Sequence, residues 1–258
     1  MKLISTPKGA AGEYSSYAMS FYEGCTENKC SYCYMQAMSK RFGSYFGVAR
    51  LKPWFINEDN AFEVFKKEVN KIVPKLEKEG LFFNFSSDPF LPQAIELNLR
   101  AWNYCNELNI PVYTLSKQAF PTDISRMPKN VIVGYTLTGK DDLEPDAASN
   151  AKRISELQIF SHAGFKTWAS VEPVVDFQDS YEIIYNCIDF CDLYKIGLES
   201  GKKFDSIEVD FFITDILQLS LEFDMKIYFK DSLLKQAGLT REELPANCVG
   251  RDFKLHNL

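Results

Sequence analysis

Residues 16–37 read SYAMSFYEGCTENKCSYCYMQA, an apolar segment that runs directly into three cysteines. Cys25, Cys30 and Cys33 fall within nine positions, although the whole chain has only seven cysteines. The segment before them is short and rich in aromatic residues, which is typical of a buried β-strand. In α/β barrels the chemistry lies at the carboxyl ends of the strands, where loops such as this one begin. The stretch therefore predicts a first strand followed by a cysteine-based site.

The rest of the chain alternates between strand-like and helix-like segments. The further predicted strands are short and apolar on both faces, as buried parallel strands are, and they occupy residues 80–86, 111–116, 130–137, 166–174, 193–199 and 225–229. Between them lie segments with helical spacing, such as 60–80, which a glycine ends. This alternation, without a glycine-rich phosphate motif after the first strand, favours a barrel over a Rossmann sheet.

We therefore predict an α/β fold, a single-domain partial (β/α) barrel of about six to seven parallel strands. The predicted domain spans residues 1–258, with its core over about 17–231 and a C-terminal tail over 232–258. A chain of this length can bury enough surface to be stable without disulfide bonds. It has no apolar run of about twenty residues and no signal-peptide core at its N-terminus. We expect a cytoplasmic protein that does not associate with membranes.

The spacing of the cysteine cluster limits what it can bind. In a reducing cytoplasm, grouped cysteines indicate metal binding or catalysis. Three thiolates without a fourth cysteine or histidine nearby leave a zinc site one ligand short, unless His162 or His256 completes it. A 4Fe–4S cluster held by three cysteines fits better, because its fourth iron stays free for a substrate or cofactor. Three unrelated thiols are the remaining alternative.

These residues resemble the cysteine loop of the radical S-adenosylmethionine enzymes. That family carries three cysteines after the first barrel strand, usually as CxxxCxxC, with an aromatic residue before the last. Here Cys25-TENK-Cys30-SY-Cys33 has a first gap one residue longer, and Tyr32 is the aromatic residue. The later segments SSDP, SVEPV and FKD are most similar to the spore photoproduct lyase-like branch. The resemblance covers about residues 17–231 and implies a 4Fe–4S cluster and S-adenosylmethionine as cofactors.

The resemblance also implies roles for side chains at the strand ends. The three cysteines would bind the cluster, and the cofactor would be bound by Tyr32, Ser86, Ser87, Asp88, Ser116, Lys117 and Glu199. Tyr32 would pack near the adenine or the cluster, and Asp88 would accept a hydrogen bond from the methionine ammonium. Lys117 would pair with the methionine carboxylate or meet the ribose. Asp88, which a proline follows, equally suits a loop cap.

Two further residues are candidates for catalysis. Glu172 lies in an otherwise apolar predicted strand, where a carboxylate needs a partner or a cavity because burying it alone is costly. We favour an active-site role over a structural ion pair. The lyase-like branch uses an additional cysteine as hydrogen donor, and Cys248 could take that role if the tail folds over the barrel mouth.

The resemblance implies that one electron cleaves S-adenosylmethionine and yields a 5′-deoxyadenosyl radical, which abstracts hydrogen from a substrate. The electron would come from a flavodoxin- or ferredoxin-type donor. A nucleobase in nucleic-acid repair or modification is one expected substrate. The net charge of −6 counts against duplex binding, but residues 35–54 interleave basic and aromatic residues, as single-strand or flipped-base binders do. A small molecule or peptide substrate, and a non-catalytic iron–sulfur or zinc protein, remain open.

Overall fold

The computed structural model describes residues 2–258, and in that range seven strands form one sheet. In chain order they are β1 (Ala18–Met19), β4 (Leu81–Phe83), β5 (Val112–Ser116), β6 (Val131–Thr136), β7 (Thr167–Val174), β8 (Leu193–Leu198) and β9 (Ile227–Phe229). Their order in the sheet follows their order in the chain, and β4 pairs in parallel with β1 and β5, as β8 does with β7 and β9. The predicted α/β fold with six to seven parallel strands is confirmed.

α-Helices connect the strands of the sheet, as parallel strands usually require, except that β5 and β6 are joined by a segment with only a short 3-10 helix, Ile124–Arg126. The helices are α1 (Tyr34–Phe42), α2 (Glu58–Asn70), α3 (Val73–Glu79), α4 (Ile95–Glu107), α5 (Asn150–His162), α6 (Phe177–Tyr185), α7 (Ser206–Glu222) and α8 (Asp231–Ala237). None of the helices in residues 2–258 combines the length and the apolar composition needed to cross a bilayer. The cytoplasmic location stays a prediction.

Two segments differ from their predicted form. Residues 16–22 contain two short strands, because β1 ends at Met19 and the chain then enters β2 (Tyr22–Glu23). β2 pairs antiparallel with β3 (Arg50–Leu51) in a separate two-stranded ribbon. Residues 60–80 form two helices, α2 and α3, with Pro74 in the first turn of α3. Proline lacks an N–H and clashes with the preceding turn, so it begins a helix more readily than it continues one.

Contacts divide the chain into two compact units. The first comprises residues up to 133 together with 142–148, and its core contains the fully buried rings of Phe21, Phe65, Phe83 and Trp102. These rings meet mainly edge to face, for example Phe21 and Phe65 with centroids 5.5 Å apart. The second comprises 134–141 and 149–258, with a core of aliphatic and aromatic residues from β7–β9 and α7, among them Trp168, Tyr194 and Tyr228. The single-domain expectation stays a prediction.

Candidate active site

The cysteine loop lies in the first unit, where it connects β2 to α1. Cys25 forms a bridge with Val48, in which its N–H donates to the Gly47 carbonyl at 3.0 Å. Gly24 precedes it with φ +88°, and a Cβ there would lie 2.5 Å from the Gly47 oxygen. Only glycine allows this close approach of the two backbone segments. The loop therefore begins at a position fixed by its local backbone.

The far end of the loop is joined to α1. The Cys33 N–H donates to the Cys30 carbonyl at 3.1 Å, and the side-chain amide of Gln36 donates to the same carbonyl at 2.8 Å. Cys33 is the residue that immediately precedes α1, and all three cysteines are free and partly exposed. The last two cysteines thus lie in one hydrogen-bonded turn at the start of a helix.

The donor set of this loop fits a 4Fe–4S cluster with one open iron, because three free thiols come without a fourth ligand. Burial raises the pKa of the Cys25 and Cys30 thiols above the usual range, and the Lys117 ammonium opposes this increase. Among residues 2–258 no three His, Cys, Asp or Glu side chains are arranged to hold a metal ion. Cluster binding would therefore have to deprotonate the thiols and draw the three sulfur atoms together.

Tyr32, the aromatic residue inside the loop, is held on two sides. Its hydroxyl donates to the carboxylate of Glu144, which is 2% exposed. The Lys117 ammonium lies 5.4 Å from the centre of its ring, within the range of a cation–π contact. The structure therefore places Tyr32 and Lys117 together beside the cysteine loop. Glu144 is a site residue that the sequence did not reveal, since 112 positions separate it from Tyr32.

Asp88 connects the loop after β4 to the end of β5. Its Oδ1 accepts hydrogen bonds from the Phe90 N–H at 2.9 Å and the Ser116 hydroxyl at 2.7 Å. Its Oδ2 accepts from the Lys117 N–H at 2.8 Å. Burial raises the pKa of the Asp88 carboxyl, and these donors counteract the increase. In this structure Asp88 caps its own loop, as the structural alternative predicted, and its role toward the methionine ammonium stays a prediction.

The same loop contains buried polar atoms that the protein leaves unsatisfied. Asn84 follows β4 with φ +134°, a conformation that residues other than glycine rarely adopt. Its side chain is 5% exposed, and neither amide atom has a hydrogen-bond partner within residues 2–258. The buried Ser87 hydroxyl likewise has none in the described chain, whereas the Ser86 hydroxyl donates to the Tyr22 carbonyl. Because such orphaned groups are costly, Asn84 and Ser87 are candidates for ligand contact.

In the second unit, Glu172 on β7 forms an ion pair with Lys230, which follows β9. Lys230 Nζ lies 2.5 Å from Glu172 Oε2, and the two side chains are 3% and 22% exposed. Between them, Gly197 on β8 leaves space that a side chain would fill, since a Cβ would lie 2.7 Å from Lys230 Cδ. The carboxylate therefore has the partner that burial requires. Its catalytic role stays a prediction.

Breaking this pair is expected to destabilise the protein. Lys230→Met leaves the Glu172 carboxylate without its ammonium and should lower the free energy of unfolding by about 2 kcal/mol, less than for a fully buried pair. The double variant Glu172→Gln/Lys230→Met should recover most of this loss in urea titrations followed by circular dichroism. Equal unfolding midpoints for the wild type and Lys230→Met would contradict a stabilising pair.

The remaining candidates also belong to the second unit. Glu199 forms an ion pair at 2.6 Å with Lys202, three positions further along the chain. Cys248 lies beside Ile227, the first residue of β9, through backbone hydrogen bonds that its neighbours make. Burial raises the pKa of the Cys248 thiol to about 11, so it is protonated at neutral pH. The thiol therefore retains the hydrogen that a hydrogen donor needs. Cys248 lies beside the amino end of β9, whereas the chemistry of such barrels lies at the carboxyl ends of the strands, so its donor role stays a prediction.

The fold is that of the radical S-adenosylmethionine partial barrels, which confirms the fold that the cysteine loop implied. No family model matches the sequence. The structure of spore photoproduct lyase complexed with dinucleoside spore photoproduct superposes with a TM-score of 0.65 at 14% identity. That match covers 88% of this chain and 78% of the lyase.

Other similar proteins are more distant in structure or uncharacterised. SuiB of Streptococcus suis, bound to its precursor peptide SuiA, superposes with a TM-score of 0.60 at 13% identity over 86% of this chain. SuiB bound to S-adenosylmethionine gives a TM-score of 0.54 at 13% identity over 85%. The chain spans about half the length of SuiB. An uncharacterised protein of Methanocaldococcus jannaschii, MJ0683, is 24% identical over 203 residues, 74% of each chain.

Proposed function

We propose that the protein is a radical S-adenosylmethionine enzyme whose cluster is held by Cys25, Cys30 and Cys33. The observation that carries this proposal is a loop of three free, partly exposed cysteines on a radical S-adenosylmethionine fold. A structural zinc site needs four protein ligands, and this loop offers three. The missing ligand therefore supports a cofactor that occupies the open position, and it counts against a metal that only stabilises the fold.

The protein's own residues would orient and enclose the cofactor. The cluster and S-adenosylmethionine together supply a 5′-deoxyadenosyl radical that abstracts hydrogen from a substrate. Asn84 and Ser87 would offer their unpaired amide and hydroxyl groups to the polar methionine end. Lys117 would place its ammonium near the methionine carboxylate while it also contacts the Tyr32 ring. Asp88 would hold the backbone of Lys117 in place.

A nucleobase, as in nucleic-acid repair or modification, is the first substrate class to assay. It is supported by the fold neighbour, which was solved with a dinucleoside. A peptide is the second class, because the other neighbour was solved with a precursor peptide.

Anaerobic reconstitution with iron and sulfide tests the proposal. We expect about four irons and four sulfides per chain. With dithionite and S-adenosylmethionine, the loaded protein should release 5′-deoxyadenosine and methionine, measured by liquid chromatography. The charge-transfer absorbance of the cluster provides an independent readout of loading. One tightly bound zinc per chain, without 5′-deoxyadenosine, would instead establish the metal-binding protein without catalysis.

A further inference from the structure

The segment that contains Cys30 and Cys33 is positively charged throughout. Residues 28–57 contain five Lys and Arg side chains and none of the chain's 35 Asp and Glu residues. The net charge of the whole protein is −6, so this basic segment stands out from an acidic chain. It also contains seven aromatic residues. Aromatic residues and arginine are enriched where proteins bind a partner.

Helix α1, within the basic segment, leaves its apolar side chains uncovered. None of its nine residues is buried, although the structure describes all of them. Met38 and Phe42 are 43% and 62% exposed and lie on one face of the helix. Tyr34, at the start of the same face, is 55% exposed, although its hydroxyl donates to the Phe85 carbonyl. A helix in a folded protein normally buries its apolar face against another element. The face of α1 therefore lacks the cover that its sequence calls for.

Positive charge borders this apolar face. Lys40 and Arg41 occupy the last turn of α1, and the Arg41 guanidinium lies 5.1 Å from the centre of the Phe42 ring. Further along the segment, the Lys52 ammonium lies 5.0 Å from the centre of the exposed Trp54 ring. An apolar centre with a basic rim complements a partner whose own surface is apolar in the centre and acidic around it.

The face also lies next to the proposed cluster ligands. Cys33 immediately precedes α1, and the Gln36 amide of the helix donates to the Cys30 carbonyl. Nine helical residues extend over about 14 Å, so every position of the face stays near the cysteine loop. Electron transfer weakens steeply with distance, and a protein that delivers an electron to the cluster would have to dock near this loop.

We propose that the exposed face of α1, with the basic residues around it, docks an acidic one-electron carrier protein. This inference rests on the proposed function, which requires one electron for each S-adenosylmethionine cleaved. In each encounter the carrier loses one electron, for example from a flavin hydroquinone that becomes a semiquinone, and the cluster gains it. Electron-transfer encounters use small interfaces and electrostatic steering, which a short helix bordered by cations provides.

A single-stranded nucleic acid fits the surface less well. All 35 carboxylates lie outside the basic segment, so a strand that continues past it would meet an acidic protein. A compact acidic protein can contact the segment alone.

Charge reversal on α1 tests the docking surface in the cluster-loaded protein. Lys40→Glu/Arg41→Glu should lower 5′-deoxyadenosine formation driven by reduced flavodoxin at least tenfold at low salt, while dithionite-driven formation stays unchanged. Lys71→Glu/Lys75→Glu, which makes the same charge change near α3, is the matched control and should leave both rates unchanged. Added salt should slow the flavodoxin-driven reaction of the wild type more than that of the α1 variant.

A second variant distinguishes the loss of positive charge from damage to the helix. Carboxylates in the last turn oppose the helix dipole, so Lys40→Gln/Arg41→Gln removes the charge without adding repulsion. It should keep the dithionite-driven rate and lose part of the flavodoxin-driven rate. Equal flavodoxin-driven rates in this variant and the wild type would overturn the docking surface. A variant that no longer binds labelled oligothymidine but still accepts electrons from flavodoxin at the wild-type rate would also overturn it. No dithionite-driven cleavage in the wild type would instead refute the proposed function.

Discussion

Replacing Cys30 with serine is expected to abolish cluster binding and the cleavage of S-adenosylmethionine. Cys30 is the middle ligand of the loop, and its backbone carbonyl accepts hydrogen bonds from Cys33 and Gln36. Serine keeps the size of the side chain but replaces a thiolate ligand with a hydroxyl, which binds iron weakly. The loss of iron binding and of cleavage activity should exceed the ~10–100-fold loss that is typical when a residue that hydrogen-bonds a metal ligand is replaced. Iron content, absorbance and 5′-deoxyadenosine formation measure it.

The chain offers a matched control for this substitution. Cys105→Ser changes a cysteine that is fully buried on α4 and lies outside the loop. This variant should bind iron and cleave the cofactor as the wild type does, although it should be less stable because a buried hydroxyl replaces a thiol. If Cys30→Ser retains full iron content and Cys105→Ser loses it, the cluster lies elsewhere and the cysteine loop has another role.

Strand positions were predictable from the sequence because each strand forms a short apolar run. Every predicted strand segment contains an observed strand, and the cysteines follow the first of them as expected. The boundaries were less predictable. Residues 16–22 read as one strand because the same aromatic residues suit β1 and β2, and only the pairing of β2 with β3 separates them. Pro74 signals the break between α2 and α3, but the apolar spacing continues through it.

The partners of the site residues could not be predicted, because they are distant in sequence. Glu144 contacts Tyr32 across 112 positions, and no local pattern marks it. The pairing of Glu172 with Lys230 also depends on the sheet, which places the ends of β7, β8 and β9 side by side. Asn84 was missed for a different reason. A positive φ at a non-glycine residue leaves no mark in the sequence, so the amide has to be seen in the structure.

Asp88→Ala is expected to lower the free energy of unfolding by about 3 kcal/mol, because three donors lose their acceptor inside the protein. These are the N–H groups of Phe90 and Lys117 and the hydroxyl of Ser116. Since Lys117 contacts Tyr32, the variant should also weaken the use of S-adenosylmethionine. Urea unfolding of the unloaded protein measures the first effect, and the KM for the cofactor measures the second.

Ser87→Ala is the matched control, because it lies in the same loop and removes a hydroxyl that has no partner in the described chain. Its unfolding free energy should equal or exceed that of the wild type, since no hydrogen bond is lost. The two readouts distinguish the roles of Asp88. A normal unfolding curve for Asp88→Ala with a raised KM would contradict the loop cap and establish direct contact with the methionine ammonium. A loss of stability in Asp88→Ala would confirm that Asp88 accepts the three hydrogen bonds described above. A raised KM for Ser87→Ala would then assign the contact with the methionine end of the cofactor to the Ser87 hydroxyl.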